Sequence, residues 1–267
     1  MSSNLNYAEK TGLTRRHFVI DNSLAQTHEA AFAAHFTTVT TPEQADAIVV
    51  FGGDGSMLGA IKTYYALGKP FIGINAGTRG HLMNDVLDPE KLYQRWCEVT
   101  FENLWLLTAD VVTTHNTFTL YGFNDIWVER LTGQILRMQL TIDGEKQPPM
   151  LVGDGILFST PQGSTGYTSA LGGKAISPGV PVLQVVPMAC VIEKTPVSSL
   201  ILPDHSSVHV DFLQTEKRPG VVYYDGVKVS DEVVQQIRVK KSERVVRLGF
   251  IPEYAFIRKV MSWQLQY

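Results

Sequence analysis

The stretch AIVVFGGDGSMLGAIKTYYALGKPFIGI, Ala47–Ile74, decides the fold. It opens on Ala47 to Phe51, a continuous apolar run with no polar alternation, which suits a strand buried on both faces of a parallel sheet. Glycines follow, then Ser56 to Leu67 with helical character, then a second apolar run from Pro70 to Ile74. Strand, glycine turn, helix and strand in this order are a βαβ unit. Upstream, His17 to Ile20 reads as a short strand and Ser23 to Phe36 as a helix with an Asp/Asn/Ser start. The first part of the chain is therefore expected to be an α/β domain built on a parallel sheet.

From about Val99 the texture changes. Runs rich in β-branched and aromatic residues recur at Trp105–Thr113, Thr117–Tyr121, Leu136–Ile142, Val208–Phe212 and Val221–Tyr224. Turn signals separate them, among them Asp143-Gly144 and Asp225-Gly226. One helix is expected in this part, Tyr167–Leu171, after a glycine-rich turn. The expected organisation is an α/β domain over residues 1–98, a predominantly β domain over 99–248, and a C-terminal segment, 249–267, apolar enough to pack and return to the first domain.

Composition narrows the function classes. The 267 residues are 44% hydrophobic with a formal net charge of −3, and no basic stripe marks a nucleic-acid or membrane partner. Cys97 and Cys190 have no Cys-x-x-Cys or Cys/His companion, so two buried reduced thiols are expected rather than a zinc site or a disulfide. The N-terminus lacks the apolar core of a signal sequence and no apolar run approaches a membrane span, which makes a cytoplasmic protein the default expectation. His17, His28, His35, His115, His205 and His209 share no ligand spacing and read as surface or satisfied core residues.

Two motifs carry chemistry. In Gly52-Gly53-Asp54-Gly55 the glycines let the backbone approach a phosphate, and the following helix start supplies free N–H groups. Asp54 in the middle of that donor nest would repel a phosphate unless it has work to do, such as taking a proton from an attacking hydroxyl or helping to hold a metal ion. A dinucleotide fingerprint starting at Gly53 fails because Leu58 stands where glycine is required, and Gly173-Lys174-Ala175 does not complete a Walker A loop. The bland alternative is a tight turn with an Asp cap. The second motif, GDGILFSTPQGSTGYTSALGG over Gly153–Gly173, is dense in Gly, Ser and Thr around Pro161. Backbone amides and hydroxyls of such a loop can face one ligand, with Tyr167 offering a flat surface for an aromatic ring and Asp154 an acceptor for the exocyclic amine of a base. A pair of β-turns with Tyr167 in the core is the alternative.

Together these motifs resemble the NAD kinase family. The resemblance rests on Gly52–Gly55, Asn124-Asp125, the block Gly153–Gly173, Gly73-Ile74-Asn75 followed by Gly77, and Ser199–Pro203, and it spans roughly residues 47–226. It implies phosphoryl transfer from ATP, or another donor, to the 2′-hydroxyl of the adenosine ribose of NAD, with a divalent metal ion, Mg²⁺ being expected. It implies Asp54 as general base, Gly55 on the dinucleotide, and Asn124 and Asp125 on the ribose diol. Asp154 and Thr165 would line the adenine pocket, and Gly166, Tyr167 and Ala170 the rest of the dinucleotide site. His81, in a glycine-rich stretch near Asp54, is a candidate for contact with the dinucleotide, and Arg79 for contact with a phosphate. No residue is assigned as a metal ligand. A homodimer or homotetramer is expected by the same likeness. Departures from the family pattern fall at ligand positions: Asp125 replaces glutamate, Gly166 alanine, Ala170 serine, and Arg79 and His81 leucine and phenylalanine. The alternatives are a lipid kinase of the diacylglycerol or sphingosine kinase type, which resembles the family around the glycine loop, and an inactive NAD(P)-binding sensor.

Overall fold

Buried parallel strands demand apolar residues at every position, and Ala47–Gly52 meets that demand with all six residues buried. The computed structural model describes residues 16–22, 27–77, 80–193 and 195–264. The chain divides into two units, one formed by residues 1–104 with 245–267 and the other by 105–244.

In the first unit, Ala47–Gly52 pairs in parallel with Arg16–Asp21 on one side and Phe71–Asn75 on the other. Thr37–Val39 extends the sheet beyond Arg16–Asp21, and Leu248 and Gly249 pair in parallel with Phe71 and Ile72. The helix Asp54–Tyr64 follows the glycine turn as expected, and a 3-10 turn, Tyr65–Leu67, ends it at Gly68, whose φ of +64° favours glycine. The helix expected over Ser23–Phe36 is shorter: it runs His28–Ala33, and residues 23–26 lie outside the described residues. Its first N–H groups, from His28 and Glu29, donate to the Asp21 carboxylate at 2.8 and 3.3 Å. At its C-terminal end the Phe32 carbonyl accepts the N–H groups of both His35 and Phe36, the first an i→i−3 bond that tightens the last turn. Phe32, Phe36 and Trp96 enclose the fully buried His17 ring, with centroids 5.2–5.6 Å away, and Nδ1 of His17 lies 3.3 Å from the Thr37 carbonyl. His17 is thus a satisfied core histidine. The C-terminal helix Phe256–Gln264 belongs to this unit, with Phe256 buried.

The second unit is β-rich, as its texture indicated. One sheet carries, in spatial order, Thr195–Pro196, Val191–Ile192, Leu151–Gly153, Leu136–Ile142, Val208–Phe212 and the first part of the 17-residue strand Val234–Phe250. A second sheet of six antiparallel strands orders Leu200–Pro203, Val182–Met188, Gly155–Ser159, Asp125–Arg130, Gly220–Tyr224 and Val227–Lys228. Side chains of both sheets, including Met138, Val210 and Ile237 from the first and Ile126, Ile156 and Val222 from the second, share one core. Both expected Asp-Gly turns are present with positive φ at each residue, 51° and 85° at Asp143-Gly144 and 44° and 80° at Asp225-Gly226. The expected helix after the glycine-rich turn is Tyr167–Ala170.

The cysteine expectation needs one correction. Cys190 is buried, its thiol donating to the Gly155 carbonyl at 3.2 Å, and burial pushes its pKa up to about 11. Cys97 is exposed, because it sits on the outer side of the 3-10 turn Trp96–Glu98 whose inward residue is Trp96. Among the described residues, no helix is long and apolar enough to cross a membrane.

Candidate active site

In the first unit the strand Ala47–Gly52 passes through Gly53 directly into the helix beginning at Asp54. Gly52 has φ +150°, and a Cβ there would lie 2.4 Å from Ser56 Oγ, so only glycine fits the turn. Asp54 projects from the first helical turn and takes one backbone N–H on each oxygen, from His81 and from Leu82, both at 2.9 Å. The bland expectation of a carboxylate capping its own helix is therefore not what the geometry records: Asp54 is held by a distant segment.

That segment is itself fixed on three sides. The Asn84 side chain is fully buried; its Nδ2 donates to the Gly73 and Gly249 carbonyls at 2.9 and 3.0 Å, and its Oδ1 accepts the Ile251 N–H at 2.8 Å. The Lys259 ammonium donates to the Gly80 and Met83 carbonyls at 2.7 and 2.5 Å and pairs with Asp85 at 2.9 Å. Asn75 bonds the same Asp85 at 2.7 Å, while its Oδ1 accepts the Gly77 N–H, which gives the Gly73–Gly77 motif a local role. Gly80 is pressed so closely that an added Cβ would lie 2.6 Å from Met83 and 3.2 Å from Asp54 Oδ1. Asn84, Asp85 and Lys259 carry no glycine-rich signature, and sequence reasoning passed over them. Gly55 is exposed with open space around its Cα. His81 is half-buried and its ring Nδ1 is buried with no hydrogen-bond partner. Arg79 lies outside the described residues.

In the second unit Asn124 and Asp125 stand at the start of the strand Asp125–Arg130. Their backbone is gripped from two directions. The Asp225 carboxylate accepts the N–H groups of Phe123, Asn124 and Asp125 at 2.8, 2.7 and 3.3 Å, and the Asp225 N–H returns a bond to the Asp125 carbonyl at 3.0 Å. From the Ser-Thr-Pro block, the Thr160 hydroxyl donates to the Phe123 carbonyl at 2.8 Å, and Gln162 Nε2 to the Trp105 and Phe123 carbonyls at 2.8 and 2.9 Å. Gly163 packs so tightly on this backbone that a Cβ would lie 2.2 Å from the Asn124 carbonyl oxygen. Asp125 is only 5% exposed, and burial, then the neighbouring Asp225 charge, push its carboxyl up to about 7.

The loop after Gly163 is anchored by the buried Ser164, whose hydroxyl donates to the Pro161 carbonyl at 2.6 Å and accepts the Ile176 N–H at 2.8 Å. Thr165, Gly166, Tyr167 and Ala170 stay half-buried or exposed on it. Tyr167 meets the Trp127 ring edge-on with centroids 5.2 Å apart, and Trp127 stacks on Tyr223 at 4.9 Å. Tyr167 is thus an exposed aromatic, 40% accessible, and not the core residue of the alternative reading. Asp154 stands apart from this group. The register pairs Ser159 with Asp125 and Gly155 with Glu129, which places Asp154 at the other end of the strand, on the order of 15 Å from Asp125 at a rise of ~3.3 Å per residue. Its carboxylate pairs with Arg130 Nε at 2.8 Å. Within the unit, Asn124, Asp125 and the Thr165–Tyr167 loop converge on one end of the sheet, while Asp154 lies at the other. Among the described residues, no group of three or more His, Cys, Asp or Glu side chains is placed to hold a metal ion.

The fold is one seen in solved nucleotide kinases. Yeast NADH kinase complexed with NADH matches with a TM-score of 0.79 at 18% identity, covering 95% of this chain and 88% of that one. An NAD kinase from Archaeoglobus fulgidus in complex with ATP matches with a TM-score of 0.72 at 21% identity, covering 92% and 97%. The chain belongs to the ATP-NAD kinase family: residues 4–100 match the model of the ATP-NAD kinase N-terminal domain and residues 125–249 that of the C-terminal domain. An NAD kinase of Cereibacter sphaeroides is 32% identical over 249 residues, 92% of this chain and 96% of the relative. An NAD kinase of Brucella suis is 30% identical over 227 residues, 84% and 87% of the two chains. These matches do not favour a lipid kinase or a sensor that has lost its chemistry.

Proposed function

We propose that this protein transfers the γ-phosphoryl group of ATP to the 2′-hydroxyl of the adenosine ribose of NAD, forming NADP and ADP. Asp54 takes the proton of the attacking hydroxyl as the new O–P bond forms and the bond to the β-phosphate oxygen breaks. The observation that carries this reading is the Asp54 carboxylate, held at a glycine-rich helix start by two N–H groups that aim it without neutralising it. The glycine turn and helix start offer donors to phosphate oxygens, and Gly55 leaves room for the dinucleotide. Asn124 and Asp125 hold the vicinal ribose hydroxyls, an amide beside a carboxyl offering acceptors to both. Thr165, Gly166, Tyr167 and Ala170 shape the rest of the dinucleotide site, and His81, half-buried with its backbone N–H on Asp54, lies beside the reacting hydroxyl; Asp154, at the far end of the sheet and paired with Arg130, is left out of this site.

The described side chains do not form a resident metal cage. Family likeness supports a divalent ion, Mg²⁺, carried with the triphosphate and water, as this ion commonly is. Family likeness further supports a homodimer or homotetramer working in the cytoplasm. The reading is tested with Asp54→Asn, which should keep the fold and the KM for NAD while lowering kcat by ~10²-fold or more. Turnover near wild type would remove Asp54 from the base role.

A further inference from the structure

We propose that Asp225 is a positioning residue for the dinucleotide: its buried carboxylate sets the backbone from which Asn124 and Asp125 reach the ribose. The inference rests on the assignment of Asn124 and Asp125 as the ribose grip and goes one step beyond it. Three consecutive N–H groups, from Phe123, Asn124 and Asp125, converge on the Asp225 oxygens, and Asp225 is only 8% exposed. Such charge-assisted bonds in a buried setting are about twice as strong as neutral ones and directional. Asp225 sits in the two-residue Asp-Gly turn between Gly220–Tyr224 and Val227–Lys228, with φ +44°, a left-handed conformation that Asp adopts in such turns. The turn thus brings the Asp225 carboxylate to the backbone of residues 123–125, where its two oxygens take all three N–H groups.

The same contact has an electrostatic effect on the grip. Two carboxyl groups share a buried corner, and the groups facing Asp125 there are Asp225 from the Asp-Gly turn and the Tyr167 phenol from the short helix. The neighbouring negative charge adds to burial in holding Asp125 protonated toward neutrality. A protonated Asp125 can donate to one ribose oxygen while accepting from another, so Asp225 governs both where the carboxyl stands and what it offers.

The test is steady-state kinetics on the full-length enzyme with Mg·ATP, varying NAD and pH, alongside melting temperature. Asp225→Asn should raise KM for NAD at least about tenfold, the scale of one lost charge-assisted bond, with a smaller change in kcat at saturating NAD. In the wild type KM for NAD should change through about 7, where Asp125 titrates, and in Asp225→Asn that inflection should move to lower pH. Should Asp225→Asn not fold, Asp225→Glu keeps the charge but displaces it by one methylene: KM should rise while the inflection stays. An unchanged KM and an unmoved inflection in folded Asp225→Asn, or an unchanged KM in Asp225→Glu, would overturn the inference. Asp125→Ala separates the two claims. If it raises KM while Asp225→Asn does not, the positioning role alone falls; if it leaves KM unchanged, the ribose grip falls with it.

Discussion

Replacing Asp125 by asparagine should remove a pH-dependent weakness from the native state. The carboxyl is 5% exposed and titrates near 7 instead of 3.8, chiefly because burial penalises its charged form and secondarily because Asp225 lies beside it. Moving a pKa by this much corresponds to on the order of 4 kcal/mol against ionisation in the folded protein, a ceiling that local relaxation will trim to ~2–4 kcal/mol. The sign follows from proton uptake: between the two pKa values the native state holds a proton that the unfolded chain has released. Stability from this group is therefore complete below about 4 and is lost as the pH rises through about 7. An asparagine of nearly the same shape cannot ionise. Ligand-free urea denaturation at about pH 3.5 and about pH 8.5, below the unfolded pKa and above the native one, should show Asp125→Asn close to wild type at the acid end and ~2–4 kcal/mol more stable at the alkaline end. Against a typical total of ~5–15 kcal/mol the difference is easily read. Identical pH dependence in the two proteins would refute the argument that Asp125 is held protonated.

Other consequences of the geometry are equally concrete. Lys259→Met keeps the stem but loses the bonds to the Gly80 and Met83 carbonyls and the pair with Asp85, so the segment that aims Asp54 should loosen. Stopped assays at saturating NAD should find kcat down by about 3- to 10-fold with KM for NAD nearly unchanged, one misplaced positioning group being felt in the chemical step; unchanged kcat would refute it. Gly163→Ala would drive a Cβ to within 2.2 Å of the Asn124 carbonyl oxygen, a rigid backbone atom. It should lower stability by ~1–3 kcal/mol or more and raise KM for NAD in the protein that still folds, and a melting temperature equal to wild type would contradict the packing. Excess chelator should abolish turnover, because the phosphate charge needs a cation that Asp54 cannot supply; full activity under chelation would defeat that claim.

The parts of this account that were legible in the sequence are those written locally. The run Ala47–Ile74 announces strand, turn, helix and strand because apolar continuity, glycines and helical spacing are all short-range signals, and each element lies within a few residues of its expected limits. Asp143-Gly144 and Asp225-Gly226 announce their turns for the same reason. The strand Val234–Phe250 was not anticipated, because the charged run Lys240-Lys241-Ser242-Glu243-Arg244 interrupts the alternation that marks a half-buried strand. Contacts made at long separation were illegible altogether. Asn84 reaches Gly249 and Ile251 across more than 160 residues, and Lys259 reaches Gly80 across 179. Asp225 was visible as a turn residue, but its grip on Phe123, Asn124 and Asp125 is a product of pairing between Asp125–Arg130 and Gly220–Tyr224, which no spacing encodes. The density of Gly, Ser and Thr over Gly153–Gly173 points to one ligand-facing loop. In the structure Asp154 stands a strand's length from Tyr167's neighbourhood, since Gly155–Ser159 runs between them as a buried strand.

The most direct test of the central claim is the identity of the product formed from NAD and Mg·ATP by the purified protein. Following the reaction with a dehydrogenase that accepts NADP but not NAD reads the position of the new phosphate as well as its transfer. NADP should accumulate with an equal amount of ADP, and at least about a hundredfold more slowly with Asp54→Asn. ADP release without NADP, or phosphorylation of a lipid hydroxyl in place of NAD, would contradict it.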